Sequence, residues 1–210
     1  MSCRTEASSI IGKHLKVLNP EIRKEIAVKV AVFGKGHVGG GLADLWERAG
    51  HQVKRLGHQG GDVSDADVVL VSVPGKAVED AIGKLKGVKG KTVIDATNRF
   101  GVEPPSGFPS NAEFIKSKTN GPMAKSFNIN FAALYGELGK ARVRPSNLWC
   151  GDEEARVAVE QLNRDAGYDP VYAGPLTNAR DQEEFIKLVF AINKAGMGQF
   201  FYRIAKPGEL

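Results

Sequence analysis

A β-forming run over residues 28–33, Val-Lys-Val-Ala-Val-Phe, passes directly into Gly34-Lys35-Gly36-His37-Val38-Gly39, and apolar residues then recur at helical spacing, Leu42, Leu45, Trp46 and Ala49. Strand, glycine turn and helix in that order constrain the fold more than any other stretch. The G-x-G-x-x-G spacing has a separate reason for each glycine: Gly34 allows the tight turn, Gly36 lets a pyrophosphate approach bare backbone, and Gly39 lets the helix sit close on the strand. The free N–H groups and the positive end of the helix then face the phosphates. We therefore read Gly34, Lys35, Gly36, His37, Val38 and Gly39 as a dinucleotide-binding turn, the alternative being a turn with a structural role alone. On this reading Gly34→Val or Gly36→Val abolishes cofactor binding without unfolding the chain, because a β-carbon would occupy the pyrophosphate's place.

The rest of the chain alternates strands and helices, as an α/β fold requires. A helix to about Ala49 ends at Gly50, and a strand covers 51–56. In NAD enzymes an acid about twenty residues past the glycines accepts the ribose 2′-hydroxyl. Here residues 50–61 contain no acid and instead offer Lys54, Arg55 and His58. A 2′-phosphate is tolerated there, which favours NADP over NAD, although Lys54 and Arg55 could equally be alternating surface charges.

The link from Leu56 to the next strand, 67–73, is too short for a helical crossover, which takes about a dozen residues or more. It should hold one short turn at 63–66, leaving a sheet smaller than the usual six strands. A helix over 76–86, strands at 91–96 and 123–127, a helix at 111–118 and a helical turn or loop at 134–144 follow. Further strands at 147–150 and 170–173 flank a helix ending near Ala166, and a long helix runs from Ala179 to about Ile204, heavily apolar over 185–201. The expected architecture is α/β, a Rossmann-like doubly wound and mostly parallel sheet with one crossover helix shortened, plus a long apolar C-terminal helix. Residues 1–27 read as an N-terminal arm and 28–210 as a single NAD(P)-binding domain with a C-terminal helical cap. In open parallel sheets ligands bind beyond the carboxyl ends of the strands, so Ser72, Val73 and Pro74 with Ala96, Thr97 and Asn98 should border the cofactor.

Composition narrows the alternatives. With 210 residues, 42% hydrophobic and 25% charged, the chain suits a soluble globular domain. It has no apolar run near the roughly eighteen residues of a membrane span and no signal-peptide pattern, so we expect a cytoplasmic protein. The net charge of +5 is scattered along the chain rather than gathered with aromatics, which argues against nucleic acid as partner. Cys3 and Cys150 are too few and too isolated for a disulfide framework or a metal site.

Taken together, these stretches resemble the NADP-dependent oxidoreductases that reduce coenzyme F420, a deazaflavin, and the related NADP-binding domains of flavin-using ferric reductases. The resemblance rests on the glycine turn, Val71-Ser72-Val73-Pro74, Val93-Ile94-Asp95-Ala96-Thr97-Asn98, Lys125-Ser126-Phe127-Asn128, Ala166-Gly167-Tyr168 and Val171-Tyr172-Ala173-Gly174-Pro175-Leu176, spread over residues 28–190. It implies an NADP(H)-dependent hydride transfer to F420 or a flavin. Gly57 and His58 would face the 2′-phosphate, Ser72 to Pro74 and Ala96 to Asn98 the ribose and nicotinamide, and Asn128 and Ile129 the acceptor. The chain departs from the family where a Ser-Arg pair is usual, here Gly57-His58, and lacks the helix and strand that normally precede Asp67.

Hydride transfer between two cofactors needs no protein nucleophile, so no catalytic residue is assigned. Two other readings stay open. A reductase of a small carbonyl or imine substrate would use a lysine on the last helix, Lys187 or Lys194, as acid. The asparagine expected one turn later is missing, since Phe190 and Met197 stand there, so Lys187 reads as a surface charge. The other is a non-catalytic NADP-binding regulatory module. The partners expected are a small-molecule redox partner and a second copy of the chain, packed through the C-terminal helix.

Overall fold

The computed structural model describes residues 27–209, and the N-terminal arm expected over 1–27 lies almost wholly outside them. Strands β1 (Lys29–Phe33), β2 (Gln52–Leu56), β4 (Val68–Val71), β6 (Thr92–Asp95), β7 (Met123–Ser126), β8 (Ser146–Gly151) and β9 (Asp169–Tyr172) form one seven-stranded sheet in the order β2-β1-β4-β6-β7-β8-β9. All neighbours pair in parallel except β7 and β8. The sheet is therefore larger than the shortened crossover suggests. The short link removes a helix, while β2 and β4 both still pair with β1, and β8 and β9 extend the far edge.

Period-two alternation along the buried strands divides the core. Val30 and Val32 of β1 face Leu42, Ala43 and Trp46 of α1 (His37–Arg48), together with Val159 and Leu162 of α4 (Arg156–Ala166). Ala31 and Phe33 face the opposite side, against α2 (Val78–Ile82) and α3 (Asn111–Thr119). Helices on both faces make the sheet doubly wound. Trp46 Nε1 donates to the Leu162 carbonyl at 2.8 Å, and His51 joins the Val28 amide to Asp165, tying α1 and the first two strands to α4.

Three local departures from the pattern have physical causes. The helix expected over 76–86 is confined to a 3₁₀ turn, Gly75–Ala77, and α2; Leu85–Lys86 is instead a short strand, β5, paired with β3 (Gly61–Asp62). The backbone of 60–63 captures it, with Gly61 and Val63 donating to the carbonyls of Lys84 and Lys86. The segment around 134–144 is a 3₁₀ helix, Ala132–Lys140. The last helix, α5, spans Ala179–Ile192 and passes through a π turn, Asn193–Met197, rather than reaching Ile204. Gly196 and Gly198, at φ +110° and +73°, break it. Phe200 and Tyr202 then return against α5, and Ser146 of β8 donates its amide to the Tyr202 carbonyl.

α3 is N-capped by Ser110, whose hydroxyl accepts from the Glu113 amide at 3.2 Å and donates to the Glu113 carboxylate at 2.9 Å. Ser110→Ala should cost about 1 kcal/mol, a fall of roughly 2–4 °C in Tm by calorimetry.

Candidate functional site

The register of the sheet assembles the site. Phe33 stands opposite Val71, Val71 opposite Asp95 and Asp95 opposite Lys125, so β1, β4, β6 and β7 end level. Their exits, the turns at 34–39, 72–74, 96–98 and 127–129, lie side by side along one edge.

The three glycines differ in their surroundings. Gly34 has φ +115°, and a β-carbon there would lie 2.5 Å from the Ser72 carbonyl oxygen. At Gly39 it would lie 2.1 Å from the Gly34 carbonyl oxygen and 2.2 Å from Ser72 Oγ. At Gly36 it would meet nothing within 4 Å. Two glycines therefore close the turn on the sheet, and the middle one faces open space. Gly36 is also the N-cap of α1, without a side-chain cap and with no acid in the first turn, so the first N–H groups and the helix dipole are free to face an anion. Lys35 and His37 beside it are exposed, and Val38 packs on the core. The expectation that Gly34→Val would leave the fold intact is thus corrected, because both its backbone angle and its neighbours exclude a side chain.

Of the cations in and just past β2, Arg55 is held by Glu47 and Asp44 of α1 at 2.6 and 2.7 Å, and Lys54 lies 3.6 Å from Asp65. Arg55 is taken up by the fold, while Lys54 stays half exposed. Lys35 Cε comes within 3.9 Å of where a Gly57 β-carbon would be, so the glycine-turn lysine lies over the end of β2 beside exposed His58.

Ser72 Oγ lies 3.1 and 3.2 Å from the carbonyls of Phe33 and Gly34, so this hydroxyl braces the glycine turn. Val73 packs against the core and Pro74 is exposed. Ala96 and Thr97 are buried, Thr97 accepting from Asn111 Nδ2 at 2.8 Å. Asn98 and Asn128 bond to each other, Asn98 Nδ2 to the Asn128 carbonyl at 2.6 Å and Asn128 Nδ2 to Asn98 Oδ1 at 3.0 Å, joining two of the turns. Gln182 of α5 donates to Asn128 Oδ1 at 2.7 Å. Ile129 is buried among Ile186 and Val189 under α5, so its side chain points away from the edge.

Sequence reasoning missed the charged group beneath these turns. Lys125 is fully buried, and its Nζ donates to Asp95 at 2.8 Å, to Glu183 at 2.6 Å and to the Thr97 carbonyl at 2.5 Å. Burial alone would lower the lysine pKa, but the two carboxylates outweigh it and hold the ammonium above its ordinary value. Burial pushes Glu183 above the usual carboxylate range, against the pull of Lys125. A lysine and an aspartate inside otherwise apolar strands were visible in the sequence, but the partner on α5 was not. Cys150 is buried and its thiol pushed up to about 12, that of an inert core residue; Cys3 lies outside the described residues.

Lys187 is well exposed and pairs with Glu184, while Lys194 is exposed on the π turn. Among the described residues no helix is long and apolar enough to cross a membrane.

No protein-family model and no curated protein matches the chain. Solved structures do. One is a candidate F420-dependent NADP-reductase from Arthrobacter sp. FB24, at 22% identity and a TM-score of 0.68 over 86% of this chain and 100% of that one. A second is 3-hydroxyisobutyrate dehydrogenase from Mycobacterium tuberculosis, at 13% identity and 0.58 over 81% of this chain and 62% of that one. A third is a reductive aminase from Aspergillus terreus in complex with NADPH and ethyl levulinate, at 16% identity and 0.57 over 81% and 63%. The chain thus spans less than two thirds of these last two enzymes. At such identities the likeness establishes the architecture, a Rossmann-like α/β domain.

Proposed function

We propose that the chain is an NADP(H)-dependent oxidoreductase that transfers hydride between nicotinamide and an F420 or flavin acceptor. The observation that carries the reading is the contrast within the glycine turn, where Gly34 and Gly39 are packed against backbone and Gly36 alone opens to a ligand. Bound NADPH would supply a hydride, the acceptor gaining two electrons with it and a further proton from water. The chain's part is to bind and align. The glycine turn and first turn of α1 would hold the pyrophosphate, Ser72 to Pro74 and Ala96 to Asn98 would edge the ribose and nicotinamide, and Asn128, braced by Asn98 and Gln182, would border the acceptor.

Lys35 takes the place that sequence reasoning gave to Lys54 and Arg55. Lys35, which comes near Gly57, and exposed His58 would supply the charge for a 2′-phosphate. Lys35→Ala should weaken NADPH about ten-fold or more with little effect on NADH, as loss of a charge-assisted bond implies; titration with both nucleotides checks it.

The likeness to imine-type reductases favours a second reading, reduction of a small carbonyl or imine. Against it, Lys187 is exposed and paired with Glu184, and Lys194 is exposed on the π turn. We place the protein in the cytoplasm, acting on a small-molecule redox partner, as a homodimer joined through α5, which leaves Leu188 exposed.

Titration with NADPH and NADH, followed by stopped-flow mixing of the NADPH complex with F420, FMN and FAD, tests the reading. Saturable NADPH binding and rapid oxidation by one acceptor are expected. Binding without oxidation by any of the three would point to the regulatory module or a small substrate, and no binding would reduce the glycine turn to a structural role.

A further inference from the structure

The buried charge under the 96–98 turn is unbalanced. One ammonium, Lys125, faces two carboxylates, Asp95 and Glu183, all three being at most 7% exposed. The group is wired to the turn itself, for Asp95 Oδ1 accepts the Thr97 amide at 2.8 Å and Lys125 Nζ donates to the Thr97 carbonyl. The nearest compensating cation on α5, Arg180, is 40% exposed and shared between Glu103 and Glu184. Packing would be served as well by a single ion pair, which would leave no net charge. Burying a second carboxylate is costly unless it has a use or a partner.

We propose that Asp95, Lys125 and Glu183 form an electrostatic positioning group that biases the nicotinamide subsite toward the oxidised cofactor. The inference rests on the proposed NADP(H) reading. The nicotinamide ring is neutral in NADPH and carries one positive charge in NADP⁺, the charge appearing as the hydride leaves with its electron pair. With both carboxylates ionised the group carries one negative charge, which attracts the second form and is indifferent to the first. It therefore lowers the energy of the state reached by hydride donation, and the dry surroundings keep the field from being screened. Glu183 is the residue through which α5 tunes the strand-end site without touching the cofactor.

The measurement is the ratio of NADP⁺ to NADPH affinity in the full chain, NADPH by its fluorescence and NADP⁺ by competition. Glu183→Gln keeps the shape and removes the net charge, and should weaken NADP⁺ relative to NADPH by roughly ten-fold, the order of effect of one unscreened charge near the subsite. Asp95→Asn, a second isosteric neutralisation at the same group, should shift the ratio the same way, and serves if the first variant does not fold. Glu183→Asp should keep the wild-type ratio, and so should Glu184→Gln, which removes an exposed charge one residue away. Equal weakening of both nucleotides, or an unchanged ratio in a folded Glu183→Gln or Asp95→Asn protein, would reduce the group to a structural tie and overturn the inference while leaving the NADP(H) reading intact. If wild type binds neither nucleotide, both fall.

Discussion

Gly36→Val is expected to abolish NADPH binding while leaving the protein folded. The backbone at Gly36 has φ −73° and ψ −172°, which valine adopts without strain, and a β-carbon there meets no protein atom within 4 Å. The side chain would stand where the pyrophosphate must approach the amides of α1. Each charge-assisted bond so lost is worth about 1.5–3 kcal/mol, so losing two weakens binding on the order of 100-fold or more. The folded state loses little. Valine is a poorer N-cap than glycine by about 1 kcal/mol, a fall of roughly 2–4 °C in Tm. Gly39→Ala is the contrasting case, because its single added carbon would lie 2.1 Å from the Gly34 carbonyl oxygen and must displace backbone. It should lower Tm markedly before binding can be asked about. Fluorescence titration and calorimetry on the two variants separate a ligand-facing glycine from a packing glycine. Were Gly36→Val to bind NADPH at wild-type strength, the glycine turn would have been assigned wrongly.

Lys125→Met is expected to have the largest effect on stability. It leaves Asp95 and Glu183 buried without their shared cation, and removing one member of a buried pair costs about 3–5 kcal/mol. At roughly 2–4 °C per kcal/mol this is a fall of about 6–20 °C in Tm. The loss should also depend on pH, with a sign that geometry dictates. In the variant the folded-state carboxyl pKa values rise above their unfolded ones, so the folded protein holds protons that the unfolded chain has released. Stability of the variant then falls as pH rises through and above the unfolded carboxylate range, and its deficit against wild type should be smallest below about pH 4, under those values. Wild type should lose stability in the same direction, but only at the alkaline end. The lysine pKa is raised, so its contribution is complete below the ordinary 10.5 and is lost as pH climbs from there through the higher folded value. Denaturant melts of both proteins across the pH range check both signs, and a Lys125→Met protein as stable as wild type at neutral pH would show the three groups to be hydrated or uncharged.

The first strand, glycine turn and helix were legible because their signals are local. Alternating apolar residues mark β1 and α1, and the glycine spacing reports backbone angles and close approaches that only glycine meets, as Gly34 and Gly39 show. The short link after Leu56 was legible by length alone. What failed was inference across contacts. Residues 84–86 have a helical pattern, yet the backbone of 60–63 captured them as a strand. The apolar stretch past Ile192 looked like more helix, but Gly196 and Gly198 turned it back so that Phe200 and Tyr202 cover the cluster that α5 began.

The cations after β2 give the same lesson at the site. Lys54, Arg55 and His58 were equivalent in sequence, and Lys35 was one member of the turn. Acids on α1 hold Arg55, Asp65 lies near half-exposed Lys54, and Lys35 of the glycine turn lies close to the strand end. The sequence by itself determined the α/β class, the glycine turn and the strand ends at which a ligand must sit, because these follow from periodicity and backbone sterics within a few residues. Only the tertiary structure decided which charges remain available, how many strands the sheet holds, and that Lys125 meets Glu183 from 58 residues away. Electrostatic partnership depends on distance through space, and in a buried group the nearest charge is set by how helices and strands pack.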